Sequence, residues 1–119
     1  IISPDVALLD SDNFRMGKGN VVSMGNFFSC NVSMGDFNTF VLYSTVGHDS
    51  TFGNFNCLMP GTRISGNVTI GDVNLFGSNS VVIQGKTIGN NTTVAAGSVV
   101  MTNLKDGHTY MGSPAKKVF

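Results

Sequence analysis

A large apolar residue recurs at every sixth position along most of this chain of 119 residues. The series is Met16, Val22, Phe28, Met34, Phe40, Val46, Phe52, Leu58, Ile64, Ile70, Phe76, Val82, Ile88, Val94 and Val100. Helices repeat at 3.6 residues and ordinary strands at two, so neither explains the series. A second period of eighteen comes from the glycines that follow some of these residues, namely Gly17, Gly35, Gly53, Gly71 and Gly89. A chain that bends every six residues and closes a three-sided coil every eighteen explains both periods. The pattern therefore predicts an all-β parallel solenoid.

The side chain four positions after each apolar residue is small or an amide, with Lys86 and Leu104 as exceptions. We predict that the large residue fills the interior and that the small one lies near a corner. One set of amides falls one coil apart and is predicted to stack as a hydrogen-bonded ladder: Asn20, Asn38, Asn56 and Asn74. The glycine after the apolar residue is predicted to form a tight corner with positive φ.

The repeat divides the chain into a hexapeptide-repeat β-helix over 1–105 and a C-terminal capping segment over 106–119, where the repeat stops. Five full coils run from Met16 to about Lys105, and a partial coil precedes them. The step from Leu8 to Met16 is eight residues, which predicts a two-residue loop around 10–13. Because the first residue is Ile rather than Met, we expect a fragment or a processed product.

Composition narrows the possible partners. Formal net charge is zero and 12% of residues are charged, about half the usual share of 25%. This argues against a nucleic-acid surface, which needs a basic stripe. The apolar runs are too short to span a membrane, and no signal peptide is visible. Cys30 and Cys57 lie at different places in the coil, so we expect reduced thiols in a cytoplasmic protein.

Several apolar residues fall outside the interior series. Phe37, Phe55 and Val73 are one coil apart and are predicted to form an exposed column. A contiguous apolar column on a chain with so little charge favours a subunit interface. Coverage by flanking loops or neighbouring side chains is the alternative.

Candidate chemistry centres on His48, which is followed by Asp49. Eighteen residues away lie Cys30 on one side and Gly66 on the other, and the glycine should leave space beside the ring. A carboxylate on one ring nitrogen fixes the tautomer and leaves the other nitrogen free as a base. On spacing alone, an exposed histidine at a polar corner is the simpler interpretation. The other histidine, His108, lies in the capping segment and is interpreted as a surface residue.

Metal chemistry finds little support in the sequence. A solenoid zinc site of the γ-carbonic anhydrase kind needs three histidines, and this chain has two in distant places. A non-catalytic binding solenoid would need a regular threonine array on a flat face, whereas the threonines look scattered. Both interpretations stay open as alternatives, and no metal site is predicted.

The repeats resemble the hexapeptide-repeat acyltransferases, and several segments sharpen the likeness to sugar O- and N-acetyltransferases. These segments are Ile-Ser-Pro-Asp-Val at 2–6, Val-Gly-His-Asp-Ser at 46–50, Gly-Asn-Val-Thr-Ile-Gly at 66–71, Ala-Gly-Ser-Val-Val at 96–100 and Gly-Ser-Pro-Ala-Lys at 112–116. The resemblance covers essentially the whole chain and implies a left-handed β-helix. It also implies acetyl-CoA as co-substrate and transfer to an amino or hydroxyl group of a sugar or nucleotide sugar.

The resemblance assigns roles to individual residues. His48 corresponds to the general base and Asp49 to the acidic neighbour that raises its basicity. The family works as homotrimers with acetyl-CoA between adjacent prisms, and residues matching its groove are Gly66, Ser78 and Ala96. A second histidine of some members is replaced here by Cys57, which is kept as a candidate groove residue.

Two features depart from or extend this likeness. Many close relatives carry an N-terminal nucleotide-sugar-binding domain before the helix, and we expect either that this domain has been removed here or that the acceptor is held otherwise. Lys116 and Lys117 are candidates to meet the phosphates of the co-substrate. The identity of the acceptor, and the choice between N- and O-transfer, stay open.

Overall fold

The computed structural model describes residues 1–119, and its short parallel strands form the three walls of a prism. Face 1 contains β1 (Ala7–Leu8), β4 (Phe27–Phe28), β7 (Thr45–Val46), β10 (Arg63–Ile64), β13 (Val81–Val82) and β16 (Val99–Val100). Face 2 contains β2 (Arg15–Met16), β5 (Ser33–Met34), β8 (Thr51–Phe52), β11 (Thr69–Ile70) and β14 (Thr87–Ile88). Face 3 contains β3 (Val21–Val22), β6 (Thr39–Phe40), β9 (Cys57–Leu58), β12 (Leu75–Phe76), β15 (Thr93–Val94), β17 (Thr109–Gly112) and β18 (Ala115–Lys117). The predicted parallel solenoid is confirmed, and the corners between these faces are named below by the faces they join.

The apolar residue of each hexad fills the interior as predicted. From Val22 to Val100 every member of the series is buried, with the bulk supplied by Phe28, Phe40 and Phe76. Aromatic rings also follow one another along the chain, since Phe28–Phe40 and Phe40–Phe52 each have centroids 5.2 Å apart. Burial of each such side chain contributes about 1.5–3 kcal/mol. Met16, in the first coil, is the one partly exposed member.

The predicted asparagine ladder is present at corner 2–3. Asn56 Oδ1 accepts from the backbone N–H of Asn74 and from its side-chain amide, both at 3.0 Å. Asn56 Nδ2 in turn donates to Asn38 Oδ1 at 3.0 Å and to the Gly71 carbonyl at 2.8 Å. The same pattern repeats along the column, and Thr92 ends it with its own N–H and hydroxyl. These buried amides are fully paired, so they stabilise the register between coils.

The prediction that the glycine after each apolar residue takes a positive φ is wrong. The left-handed residue is the third after the apolar one, and the position recurs every six residues as Gly19, Gly25, Asn31, Phe37, Tyr43, Asp49, Phe55, Gly61, Asn67, Val73, Asn79, Gly85, Asn91 and Gly97. Nine of these are not glycine. The corner therefore imposes its conformation on whatever residue stands there.

The glycines of the eighteen-residue series serve close approach between coils instead. A Cβ on Gly35 would lie 2.8 Å from the carbonyl oxygen of Gly53, and one on Gly53 would lie 2.8 Å from that of Gly71. Real Cβ atoms do not come this close, so only glycine lets the coils stack at their hydrogen-bonding distance. Those same carbonyls accept from the asparagine ladder.

The solenoid continues beyond Lys105, the point at which the six-residue repeat stops. Leu104 pairs with Ile88 and is buried, so it is an interior residue and not an exception at a small position. Tyr110 pairs with Val94 in the parallel strand β17, and β18 then returns antiparallel to it. The corner between Val100 and Leu104 has two residues fewer than the other corners. Counting in sixes from Val100 therefore does not identify Leu104 and Tyr110 as interior residues. At the other end, the predicted two-residue insertion is a short 3₁₀ helix, Ser11–Asn13.

The threonines are less scattered than the sequence indicated. Thr51, Thr69 and Thr87 pair in register and form one column on the outside of face 2. Thr62 and Thr92 are buried, Thr102 lies in the corner before Leu104, and the others lie on faces 1 and 3. The array is a single column three residues long.

Replacing Asn56 with alanine tests the ladder. The change removes the hydrogen bonds of the Asn56 side chain to the Gly71 carbonyl and to Asn38 Oδ1, and those that it accepts from the backbone N–H and side-chain amide of Asn74. We expect a loss of at least about 1–3 kcal/mol in the free energy of unfolding, measured by urea denaturation. Asn91→Gly is the matched control, because Asn91 is exposed, already left-handed and makes no side-chain hydrogen bond. An equal loss in the two variants would contradict a stabilising role for the ladder.

Candidate active site

His48 lies at corner 1–2, between β7 and β8, with its ring on the outside of the prism. Its Nδ1 is 3.0 Å from Asp49 Oδ2. The side chains are 50% and 52% exposed, so both remain open to solvent and to a ligand. A carboxylate at Nδ1 favours the tautomer with the proton on Nδ1, which leaves the Nε2 lone pair free to accept a proton.

Asp49 is held by the neighbouring coil. It occupies the left-handed position of its corner, φ 59°, which aspartate tolerates better than most residues. Its N–H donates to the Cys30 carbonyl at 2.9 Å, and its second carboxylate oxygen accepts from Asn31 Nδ2 at 2.8 Å. The Asn31 hydrogen bond is the main cause that lowers the pKa of Asp49 below its ordinary value, followed by the hydrogen bond with His48. The carboxylate is therefore ionised at neutral pH, and its pairing is lost only as pH falls through this lowered pKa.

Gly66 lies directly against the imidazole from the next coil. A Cβ on Gly66 would lie 2.8 Å from His48 Cδ2 and Cε1, and closer still to Nε2. The space predicted beside the ring is therefore filled by the ring itself. Gly47 allows the two coils to approach here, because its own Cβ would lie 2.8 Å from Gly66 Cα.

The Gly66 N–H donates to no acceptor within the chain. The corresponding N–H groups of Ser78 and Ala96 are also free, whereas those at corner 2–3 are capped by side chains of the following coil, such as Asp36 and Asn54. Free N–H donors are thus a general property of corners 1–2 and 3–1. One of them is next to the candidate base.

The other predicted groove residues lie elsewhere on the chain. Ser78 and Ala96 stack one coil apart at corner 3–1, at the opposite edge of face 1 from His48. Cys57 points outward from face 3, where burial raises the pKa of its thiol and its Sγ lies 4.0 Å from Met59 Sδ. Within a single chain, Gly66 therefore lies beside His48, whereas Ser78, Ala96 and Cys57 lie away from it.

The two lysines and the second histidine lie at the end of the solenoid. Lys116 and Lys117 are exposed on β18. His108 Nδ1 is 3.2 Å from the Phe119 carbonyl, and its ring meets Tyr110 edge-on. None of these residues shares a corner with His48.

Asn31 is the site residue that sequence reasoning missed. It stands eighteen positions before Asp49, so the rule that placed Gly66 beside His48 also predicts this neighbour. Because an asparagine is neither charged nor a usual catalytic residue, its residue type alone gave no reason to place it in the site.

The structure contains neither a metal-binding cluster nor a closed cavity at this corner. No group of three or more His, Cys, Asp or Glu residues is placed to hold a metal ion, and no enclosed cavity surrounds His48. None of the helical structure has the length and apolar character needed to cross a bilayer.

Comparisons with known proteins support the assignment of the fold. No protein-family model matches the chain, and a search of curated proteins gives no match. Solved structures do match. The acetyltransferase domain of PglB from Neisseria gonorrhoeae FA1090 is 30% identical with a TM-score of 0.95, covering 99% of this chain and 57% of that one. PerB from Caulobacter crescentus, solved with CoA and GDP-perosamine, is 32% identical with a TM-score of 0.95, covering 99% and 56%.

WeeI from Acinetobacter baumannii AYE is 28% identical with a TM-score of 0.94, covering 98% of this chain and 57% of its own. The chain therefore has the left-handed parallel β-helix fold of hexapeptide-repeat acetyltransferases, and the resemblance drawn from its repeats is confirmed. It spans a little over half the length of these solved structures.

Replacing Gly66 with alanine tests the packing of the ring. The new methyl group has no room unless the imidazole moves, so we expect a crystal structure of G66A to show His48 rotated away and its contact with Asp49 broken. Gln84→Ala is the control, because the exposed Gln84 holds the same position of corner 1–2 one coil further on and already carries a Cβ. An unmoved His48 ring in G66A would contradict the described contact.

Proposed function

We propose that this chain transfers the acetyl group of acetyl-CoA to an amino or hydroxyl group of a sugar or nucleotide sugar. The observation that carries the proposal is the His48–Asp49 pair, 3.0 Å apart and open to solvent, on this particular fold. A histidine oriented by an ionised carboxylate is a competent general base near neutral pH.

The similar structures support the choice of substrates. The PglB acetyltransferase domain has been solved with acetyl coenzyme A, and PerB with CoA and GDP-perosamine. These ligands belong to those proteins. We infer by similarity that acetyl-CoA is the donor here and that the acceptor belongs to the same chemical class.

The proposed step is a direct transfer. His48 Nε2 takes the proton of the acceptor N–H or O–H as that atom attacks the thioester carbonyl carbon. The tetrahedral intermediate then collapses, the C–S bond breaks, and the proton on His48 passes to the departing CoA sulfur. The free Gly66 N–H is the candidate donor to the oxyanion, a contact worth about 2.7–4 kcal/mol in enzymes where it has been measured.

A homotrimer would complete the groove. Gly66 lies at corner 1–2, whereas Ser78 and Ala96 lie at corner 3–1, so a second copy is needed to bring such groups to opposite sides of one crevice. We propose that acetyl-CoA lies in this crevice, with Cys57 as a further candidate. The free thiols Cys30 and Cys57 agree with a cytoplasmic location. In this proposal the coils up to Lys105 carry the site, and 106–119 continue the solenoid through β17 and close its end with β18.

An exposed apolar strip supports self-association. Nine residues of face 3 and its two corners are large, apolar and exposed, namely Val21, Met24, Phe37, Leu42, Tyr43, Phe55, Met59, Val73 and Leu75. The other exposed large apolar residues lie in the first or last coils. Within the strip, Phe37 and Phe55 stack with centroids 5.3 Å apart. A contiguous strip of this kind is uncommon on monomers.

Replacing His48 with alanine tests the proposed base. We expect turnover to fall by on the order of 10²–10⁴, measured as release of CoA thiol from acetyl-CoA with UDP- and GDP-linked 4-amino sugars and sialic acid as acceptors. The matched control is His108→Ala, which removes the histidine remote from this corner and should leave turnover unchanged. Near wild-type turnover in H48A would reject His48 as the base.

Replacing Phe55 with asparagine tests the apolar strip. Asparagine tolerates the left-handed backbone of this position, so the change removes the aromatic surface without adding strain. We expect a trimer in wild type and a shift to monomer in F55N by analytical ultracentrifugation. Leu9→Gln, which alters an exposed apolar residue outside the strip, should stay trimeric. A trimeric F55N would place the interface elsewhere.

A further inference from the structure

Asn31 supplies the one side chain outside the candidate catalytic pair that hydrogen-bonds to the side chains of the pair, and it has no role in the proposed reaction. It lies at corner 1–2, one coil before Asp49, and both residues take the left-handed conformation of that corner, with φ of 56° and 59°. This shared geometry aims the two side chains the same way. The Asn31 amide nitrogen consequently lies 2.8 Å from Asp49 Oδ1.

The two oxygens of Asp49 are thereby divided between two partners. Oδ1 accepts from Asn31 and Oδ2 from His48 Nδ1. An exposed aspartate is otherwise free to rotate about its side-chain bonds, and 52% exposure gives Asp49 that freedom. With Oδ1 held by the preceding coil, only Oδ2 can face the imidazole, and the plane of the carboxylate is set.

We propose that Asn31 is a positioning residue, which holds the Asp49 carboxylate and through it fixes the orientation and tautomer of His48. The lowered pKa of Asp49, for which the Asn31 hydrogen bond is the first cause, agrees with this role. Asn31 touches neither ring nor substrate, so it acts only through Asp49. The effect of Asn31 on turnover rests on the proposed function, whereas its effect on the orientation of Asp49 and His48 does not.

No other charged group competes for the Asp49 carboxylate. Six strands flank the corner at the levels of Asn31, Asp49 and Gly66: β4, β5, β7, β8, β10 and β11. Their only charged side chain is Arg63 on β10, and its guanidinium donates to the Tyr43 carbonyl at corner 3–1. The remaining titratable neighbours of Asp49 are His48 and the thiol of Cys30, and Asp49 has no lysine or arginine partner. An effect of Asn31 on Asp49 can therefore be measured without a second charge partner.

Asn31→Gly provides the test, because glycine keeps the left-handed backbone and removes only the amide. Asn91→Gly makes the same replacement at corner 2–3, where the side chain has no hydrogen bond, and is the matched control. Carbon-13 NMR of the Asp49 carboxyl and nitrogen-15 NMR of the His48 ring report on the pair without any turnover. We expect the pKa of Asp49 to rise in N31G, and His48 to change from mainly the Nδ1–H form to a mixture of tautomers. N91G should match wild type in both measurements.

Kinetics then test the consequence. Loss of alignment should lower kcat on the order of ten- to a hundred-fold with little change in KM for acetyl-CoA, since Asn31 contacts no substrate. An unchanged Asp49 pKa and His48 tautomer in N31G would overturn the proposal. A changed tautomer with unchanged kcat would equally overturn a positioning role in catalysis. If wild type transfers acetyl to no acceptor, the proposed function fails, while the NMR result still decides whether Asn31 holds the pair.

Discussion

The corner that recurs every six residues is the constraint on which the rest of the structure depends. At each six-residue corner from Gly19 to Gly97 one residue adopts the left-handed conformation, and the chain turns into the next wall. Because these turns are alike, coils stack at one strand spacing, about 4.8 Å, and residues eighteen apart become neighbours. This holds even where the sequence opposes it, since Val73, a β-branched residue, is left-handed too. The left-handed conformation costs roughly 1–2 kcal/mol for such a residue, which the buried core and the strand pairing on either side outweigh.

Stacking at this spacing explains features that look unrelated in the sequence. The asparagine ladder, the Phe37–Phe55 stack and the contact of Asn31 with Asp49 all join residues eighteen apart. Glycine is needed wherever two backbones meet most closely, as at Gly35 and Gly53 in one corner and at Gly47 in the candidate site. One geometric repeat thus supplies the core, the corner hydrogen bonds and the orientation of the candidate base.

Much of this could be predicted from the sequence, because period and register follow from residue type alone. The interior residues, the Asn56 ladder and the adjacency of His48 to Asp49 and Gly66 all come from counting in sixes and eighteens. Backbone conformation cannot be predicted by such counting, because Phe, Tyr and Val occupy left-handed positions that residue preference would assign to glycine. The pairing of Leu104 could not be predicted, because the corner before it has two residues fewer than the other corners. The relation of Ser78 and Ala96 to His48 was not predictable from one chain, because these residues lie at different corners and any meeting between them involves a second copy.

The candidate site differs little from a purely structural corner. At corner 2–3 a column of acidic and amide side chains alternates, and each accepts the backbone N–H of the preceding coil through one oxygen, along the series Asp36, Asn54, Asp72, Asn90 and Asp106. Alternation keeps carboxylates from lying directly above one another, which would be destabilising. At corner 1–2 the left-handed column runs Asn31, Asp49 and Asn67, so the carboxylate again lies between amides. The difference is that Asp49 directs one oxygen to an imidazole and not to a backbone N–H. A stacking arrangement that elsewhere caps backbone N–H groups here orients an imidazole, so a single histidine placed before such a column gives a solenoid corner the geometry on which the proposed proton transfer depends.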